Sequence, residues 1–169
     1  WEKDLYHASE ADLREMLNYI SNYSLYAYKE EIKQGYITIE GGHRVGVAGQ
    51  TVLVDGKIAG ISPITFLNIR IAHEKCGCAK KILPLIRQKN SIYNTLILSM
   101  PGAGKTTLLR DSIRALSNGE AYGIRLKVCV VDERSEIAAS FHGVPQNDMG
   151  PRTDVMDGCG KAEGMQLLI

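Results

Sequence analysis

The sequence predicts an α/β fold, truncated at its far end and preceded by a small α+β domain, and three observations carry that expectation. Residues 1–75 open with two helical patterns and continue as short alternating runs separated by tight-turn pairs. Residues 94–118 arrange an apolar run, a glycine-rich turn and an amphipathic helix in that order. Residues 126–131 form a second apolar run that ends on acidic side chains. The expected organisation is therefore an N-terminal domain over 1–75, a linker and helix over 76–93, and the first part of an α/β domain over 94–169.

Each element has its own signal. Ser9 precedes a pattern in which Leu13, Met16, Leu17 and Ile20 share one face, with Asp12 at the capping-box position, so a helix is expected over residues 9–22. A second helix, over 25–33, places Leu25, Tyr28 and Ile32 on one side and stops at Gly35. From Tyr36 the period becomes two. Residues 36–40 and 43–49 flank Gly41-Gly42 as one hairpin, and residues 51–54 and 57–61 flank Asp55-Gly56 as another. Ser62-Pro63 is expected to break the run before a further strand over 66–71. A helical piece follows over 79–88, bent or broken at Pro84.

Composition excludes several classes. Of the 169 residues, 44% are hydrophobic and 23% charged, which fits an ordinary globular chain and neither a fibrous nor a disordered one. The net charge is +1 without a basic run, so nucleic acid is not an expected partner. No apolar stretch approaches the roughly 20 residues that cross a bilayer. Trp1-Glu-Lys-Asp lacks the apolar segment of a signal peptide, so a cytoplasmic protein is expected. Cys76-Gly-Cys78 has neither the spacer nor the second ligand pair of a zinc site, and the four cysteines read as reduced thiols. The chain starts without methionine and ends at Leu167-Leu-Ile169 inside an apolar helical pattern with no capping glycine, so it is expected to be a fragment.

The chemistry concentrates at Ser99-Met-Pro-Gly-Ala-Gly-Lys105-Thr-Thr107. An apolar strand over 94–99 leads into it, and Leu109, Ile113 and Leu116 recur at helical spacing behind it, up to Asn118-Gly119. This is the order of a P-loop. Pro101, Gly102, Ala103 and Gly104 let the backbone curl so that its N–H groups converge, and the helix N-terminus adds partial positive charge. Lys105 is expected to reach the β and γ phosphates of ATP, Thr106 to supply a hydroxyl to Mg2+, and Thr107 to assist at the α phosphate. Ser99 stands where the strict pattern has glycine. The competing reading is a glycine-rich turn that happens to hold lysine and threonine.

The strand over 126–131 delivers Asp132-Glu-Arg-Ser-Glu136 at its C-terminal end, the edge where open α/β sheets bind ligands. Asp132 could hold magnesium through water, and Glu133 could orient or deprotonate the attacking water, so both join Lys105 as candidate catalytic groups. The alternative is a solvated charged turn. The strand resembles a Walker B strand, but between Lys105 and Asp132 there is room for one helix and one strand only. ATPases that use a catalytic glutamate normally place a further strand and helix before it, and on that resemblance the true Walker B strand is expected beyond Ile169.

Several motifs then carry a resemblance: Gly41-Gly-His-Arg-Val-Gly46, Asn68-Ile-Arg-Ile71, Val131-Asp-Glu-Arg-Ser-Glu-Ile137, Gly143-Val-Pro-Gln-Asn-Asp148 and Lys161-Ala-Glu-Gly-Met165. From about residue 20 onward the chain resembles the stage III sporulation protein AA family of endospore-forming bacteria. The resemblance implies a relative of the type II and type IV secretion ATPases, hexameric motors with a RecA-like domain. It implies a mother-cell protein, peripheral to the membrane, that powers or assembles the channel to the forespore with membrane proteins of that complex as partners. It also implies that Arg44 and Arg70 are candidates for the γ phosphate, against a reading as surface salt bridges; Arg134 and Arg152 are weaker candidates. His43 reads as a packing or turn histidine. Two alternatives are a nucleotide-responsive assembly scaffold without productive hydrolysis and a nucleic-acid-translocating RecA-like ATPase.

Overall fold

A computed structural model describes residues 6–89, 91–120 and 123–168. Trp1-Glu-Lys-Asp, read above for a signal peptide, and Ile169, at the end of the expected C-terminal helical pattern, lie outside the described residues. The chain divides into two compact units, Trp1–Ala72 and His73–Ile169.

The first unit begins with α1 (Glu10–Ile20). Its start is a capping box: the Asp12 amide donates to Ser9 Oγ at 3.3 Å and the Ser9 amide donates to Asp12 Oδ2 at 2.7 Å. The second expected helix is corrected. Residues Leu25–Tyr28 form a 3-10 turn and only Lys29–Lys33 is α-helical (α2). Ser24 makes no capping bond, so the first turn tightens onto i→i+3 bonds.

Strands β1 (Tyr36–Ile39), β2 (His43–Val54) and β3 (Lys57–Arg70) form an antiparallel meander in the order β1-β2-β3. Ile37 and Val45 face one another in the ladder and are fully buried at its centre. The expected break at Ser62-Pro63 does not occur, and the second hairpin and the later strand are one continuous element. The register slips between Gly49 and Thr51 on β2, where Gly49 pairs with Ile64 and Thr51 with Ile61. Ser62 and Pro63 fall inside that bulge, a place that asks no ladder hydrogen bond of a proline.

In the second unit the expected helix over 79–88 is also corrected. The chain makes a 3-10 turn (Cys78–Lys81), a single helical turn α3 (Leu83–Ile86) carrying Pro84 at its start, and a small hairpin of β4 (Arg87–Gln88) and β5 (Ser91–Ile92). Proline suits a first turn and ends what precedes it. α4 (Lys105–Asn118) follows the glycine-rich loop and closes on Gly119 in the left-handed region. β6 (Val128–Asp132) and β7 (Thr153–Asp157) pair in parallel, and α5 (Lys161–Leu168) packs beside them. The expected strand over 94–99 is corrected: those residues pair with no strand among the described residues, and Leu96 and Leu98 are each 80% exposed. An extended run becomes a strand only when a neighbour supplies its hydrogen bonds, and β6 takes its partner from β7.

α4 supplies the core of this unit on two sides. Ala115 and Leu116 pack with Ala79 and Leu83, while Ile113 packs with Val130, Ala138 and Met149. Gly164 lets α5 approach β6: a Cβ there would meet a Val131 methyl carbon at 2.6 Å and Cys159 Sγ at 2.7 Å.

Candidate functional site

The glycine-rich loop turns on backbone conformations that glycine alone adopts freely. Gly102 (φ 76°) and Gly104 (φ 86°) are both left-handed, and a Cβ at either would meet open space, so conformation rather than crowding requires glycine. Gly104 caps α4, whose first turn carries no acidic residue, leaving the positive end of the helix dipole on the loop. The Lys105 ammonium bonds to the carbonyls of Ser99 at 3.0 Å and Met100 at 2.9 Å. Pro101, Ala103 and both glycines are exposed, while Thr106 and Thr107 are half-buried in the first turn of α4.

A cleft of about 530 Å³ lies beside the loop, walled by Lys105, Thr106, Asp132, Glu133, Glu136 and Lys161. The structure thus brings the expected loop residues and the expected acidic pair to one place. Asp132 is 3% exposed, and its carboxylate accepts the amides of Glu136 at 2.9 Å, Ile137 at 2.8 Å and Ala138 at 2.9 Å. It shapes the turn that follows β6. Arg110 on α4 holds the same turn by donating to the carbonyls of Ile137 and Glu136 at 2.7 and 2.8 Å. Glu133 is paired with Lys161 at 3.1 Å.

Asp157 was not singled out from the sequence. It stands opposite Asp132 in the parallel register and accepts from Ser135 Oγ at 2.7 and 2.8 Å. Burial pushes its carboxyl above the usual range; the Ser135 hydrogen bond opposes this and the Asp132 charge adds to it. Its signal was weak: residues 128–132 are apolar up to their final aspartate, whereas residues 153–157 hold only Val155 and Met156 before theirs.

Asp111 was missed as well, because it lies inside the helical pattern. Its carboxylate, 3% exposed, accepts the Ala79 amide at 2.7 Å and binds Arg114, which also pairs with Glu120. Burial alone raises the Asp111 carboxyl, but the Ala79 and Gly77 amides and the Arg114 guanidinium outweigh it and leave it below the usual range. This network fastens the segment after residue 75 to α4.

Arg44 on β2 and Arg70 on β3, both in the first unit, stand directly opposite each other. The Arg44 guanidinium lies over the Tyr36 ring at 3.5 Å from its centroid. His43 Nδ1 accepts the Ala72 amide at 3.1 Å, a bond that ties the start of β2 to the chain after β3. Arg152 bonds to the carbonyl of Arg125 at 3.0 Å, and Arg134 is exposed. All four cysteines are free thiols. Among the described residues, no helix is long and apolar enough to cross a membrane, and no group of three or more histidine, cysteine or acidic residues is arranged to hold a metal ion.

Comparison with known proteins agrees on one family. The family model described as Sporulation stage III, protein AA matches residues 2–169. Stage III sporulation protein AA of Bacillus subtilis (strain 168) is 48% identical over 164 residues, covering 97% of this chain and 53% of that protein. The chain therefore spans about half the length of the curated relative it matches. No solved structure matches. By both its family model and its identity to this relative, the chain belongs to the Sporulation stage III, protein AA family.

Proposed function

We propose that this chain carries the nucleotide-binding part of a P-loop ATPase with a RecA-like core, related to the type II and type IV secretion ATPases. The whole protein acts in sporulation, as a ring of about six copies on the mother-cell side, powering or assembling the channel to the forespore with membrane proteins as partners. The observation that carries this reading is the left-handed loop at Gly102 and Gly104, which opens onto Lys105 at the N-terminus of α4 with the acidic end of β6 beside it. Converging amides, a helix dipole and one ammonium group make a phosphate cradle.

The residues fit Mg·ATP. When bound, the metal would neutralise charge between the terminal phosphates, with the Thr106 hydroxyl as a ligand. Lys105 leaves the Ser99 and Met100 carbonyls to hold phosphate oxygens. Glu133, once freed from Lys161, orients water, and Asp132 keeps the adjoining turn in place. Calorimetric titration of the full-length protein with Mg·ATP tests the reading. Lys105→Ala is expected to weaken binding about tenfold to a hundredfold, the loss of one or two charge-assisted hydrogen bonds. Unchanged affinity in a folded variant would end it.

One observation favours a second reading, an assembly scaffold that binds nucleotide without productive hydrolysis. Both candidate carboxylates are engaged, Asp132 by three amides and Glu133 by Lys161. Sporulation that fails with Lys105→Ala but survives Glu133→Gln would select the scaffold.

A further inference from the structure

A second cleft, of about 590 Å³, lies on the other side of the glycine-rich loop. Lys105 borders both clefts, but the two threonines behind it divide: Thr106 borders the first cleft and Thr107 the second. Successive residues of a helix point about 100° apart, so the first turn of α4 presents one hydroxyl to each side. A triphosphate held by the loop has room to extend from one cleft toward the other.

The linings assign its direction. The first cleft holds Asp132, Glu133 and Glu136, groups suited to a cation and to water. The second holds no carboxylate. Its wall is apolar at Ile97, Leu98, Ala103 and Leu108, with Lys75 as the one charged side chain besides Lys105. Both clefts have apolar walls, the first at Leu96, Leu109, Val131 and Ile137, so it is the absence of carboxylates that suits the second to a flat heterocycle and its sugar.

The far wall of this cleft is the segment at Lys75 and Cys78, and it is built rather than loose. Gly77 takes a left-handed conformation (φ 85°), and Cys78 Sγ lies 3.7 Å from the Thr107 carbonyl. Behind them the buried Asp111 carboxylate accepts the Ala79 amide, with Arg114 and Glu120 completing the anchor. Since Asp111 sits on the same helix that starts at Lys105, loop and wall are held by one element. We infer that the segment at Lys75 and Cys78, fastened to α4 through Asp111, forms the nucleoside subsite, so that base and ribose occupy the cleft beside Thr107 while metal and water take the cleft beside Thr106. This rests on the ATP-binding reading above. Lys75 donates to acceptors of the sugar and base, Cys78 lies against the nucleoside, and Asp111 acts as a positioning residue.

The test separates nucleoside from phosphate by comparing Mg·ATP with inorganic Mg·tripolyphosphate on the full-length protein. Lys75→Ala is expected to weaken Mg·ATP about tenfold and to leave Mg·tripolyphosphate unchanged, whereas Lys105→Ala weakens both. In a Cys76→Ser background, Mg·ATP is expected to slow alkylation of Cys78 by N-ethylmaleimide at least fivefold, with no protection from tripolyphosphate. Equal protection by both, or a Lys75→Ala variant that binds ATP normally or loses both ligands alike, would overturn the subsite. Wild-type protein that binds neither ligand would overturn the ATP reading itself, and the subsite with it.

Discussion

The two units solve the same problem with different bonds. In the first, side-chain polar contacts are mostly local: Ser9 with Asp12, Arg14 with Glu10 and Lys33 with Glu30 lie within four residues of one another. Long-range order comes chiefly from the ladder, where Ile37 meets Val45, with the His43 bond to the Ala72 amide as a long-range side-chain tie. In the second unit, polar side chains reach far along the chain, from Asp111 to Ala79, from Arg110 to the 136–137 turn and from the Ser117 hydroxyl to Arg152. Each of these bonds ties a turn or loop segment to α4. Loops beside a binding site have backbone groups that secondary structure leaves unpaired, and buried side chains supply the partners.

If that contrast is right, breaking a polar anchor should unfold the second unit locally and leave the first intact. Asp111→Ala is expected to have the largest effect, about 4 kcal/mol, because it leaves the Ala79 amide unpaired and Arg114 with Glu120 as its remaining carboxylate in a buried setting. Hydrogen exchange followed by mass spectrometry should report faster exchange over residues 76–83 and the start of α4, with the peptides of β1 and β2 unchanged. The pH dependence sharpens the test. The native Asp111 carboxyl is held below its unfolded value, so its stabilisation is complete above the unfolded pKa of about 3.9 and is lost as pH falls through the lower folded value. Asp111→Asn should flatten that acid limb for the second unit alone.

The reciprocal experiment removes apolar volume from the first unit. Ile37→Ala is expected to cost about 3 kcal/mol, since the side chain is fully buried and its cavity cannot collapse freely. Exchange should accelerate throughout the meander and remain unchanged over α4. An equal loss in both units would refute their independence. The smallest effect belongs to the local bonds: Ser9→Ala should cost about 1 kcal/mol and fray only the first turn of α1. The exposed pair of Glu10 and Arg14 contributes less still, because solvent screens it.

How much was legible follows the same division. The capping box at Ser9 and Asp12, the Asp55-Gly56 turn and the chain reversal at Gly41-Gly42 are local patterns, and the sequence displays them. The continuity of β2 and β3 was not legible, because a proline that stops an ordinary strand is accommodated at a bulge, and a bulge depends on the partner strand. Nor was the hidden side of α4: Asp111, Ser112, Arg114 and Ser117 are all buried, and hydrophobic periodicity reads such positions as the solvent face.

The candidate site divides similarly. Lys105, Thr106, Thr107 and the loop glycines stand in one unbroken stretch, and so do Asp132 and Glu133, so their chemistry could be read from residue order. Asp157 and the anchor at Asp111 could not, since each matters through a neighbour distant in sequence. By itself the sequence determined the glycine-rich turn, the helix behind it, the acidic strand end and the family, because contiguous residues specify these through local backbone preferences. The tertiary structure alone decided that Asp132 faces Asp157, that Asp111 grips the segment at residue 79, and that Thr106 and Thr107 open onto different clefts. Those are facts of packing, in which burial and long-range hydrogen bonds assign each side chain a neighbour that residue order does not encode.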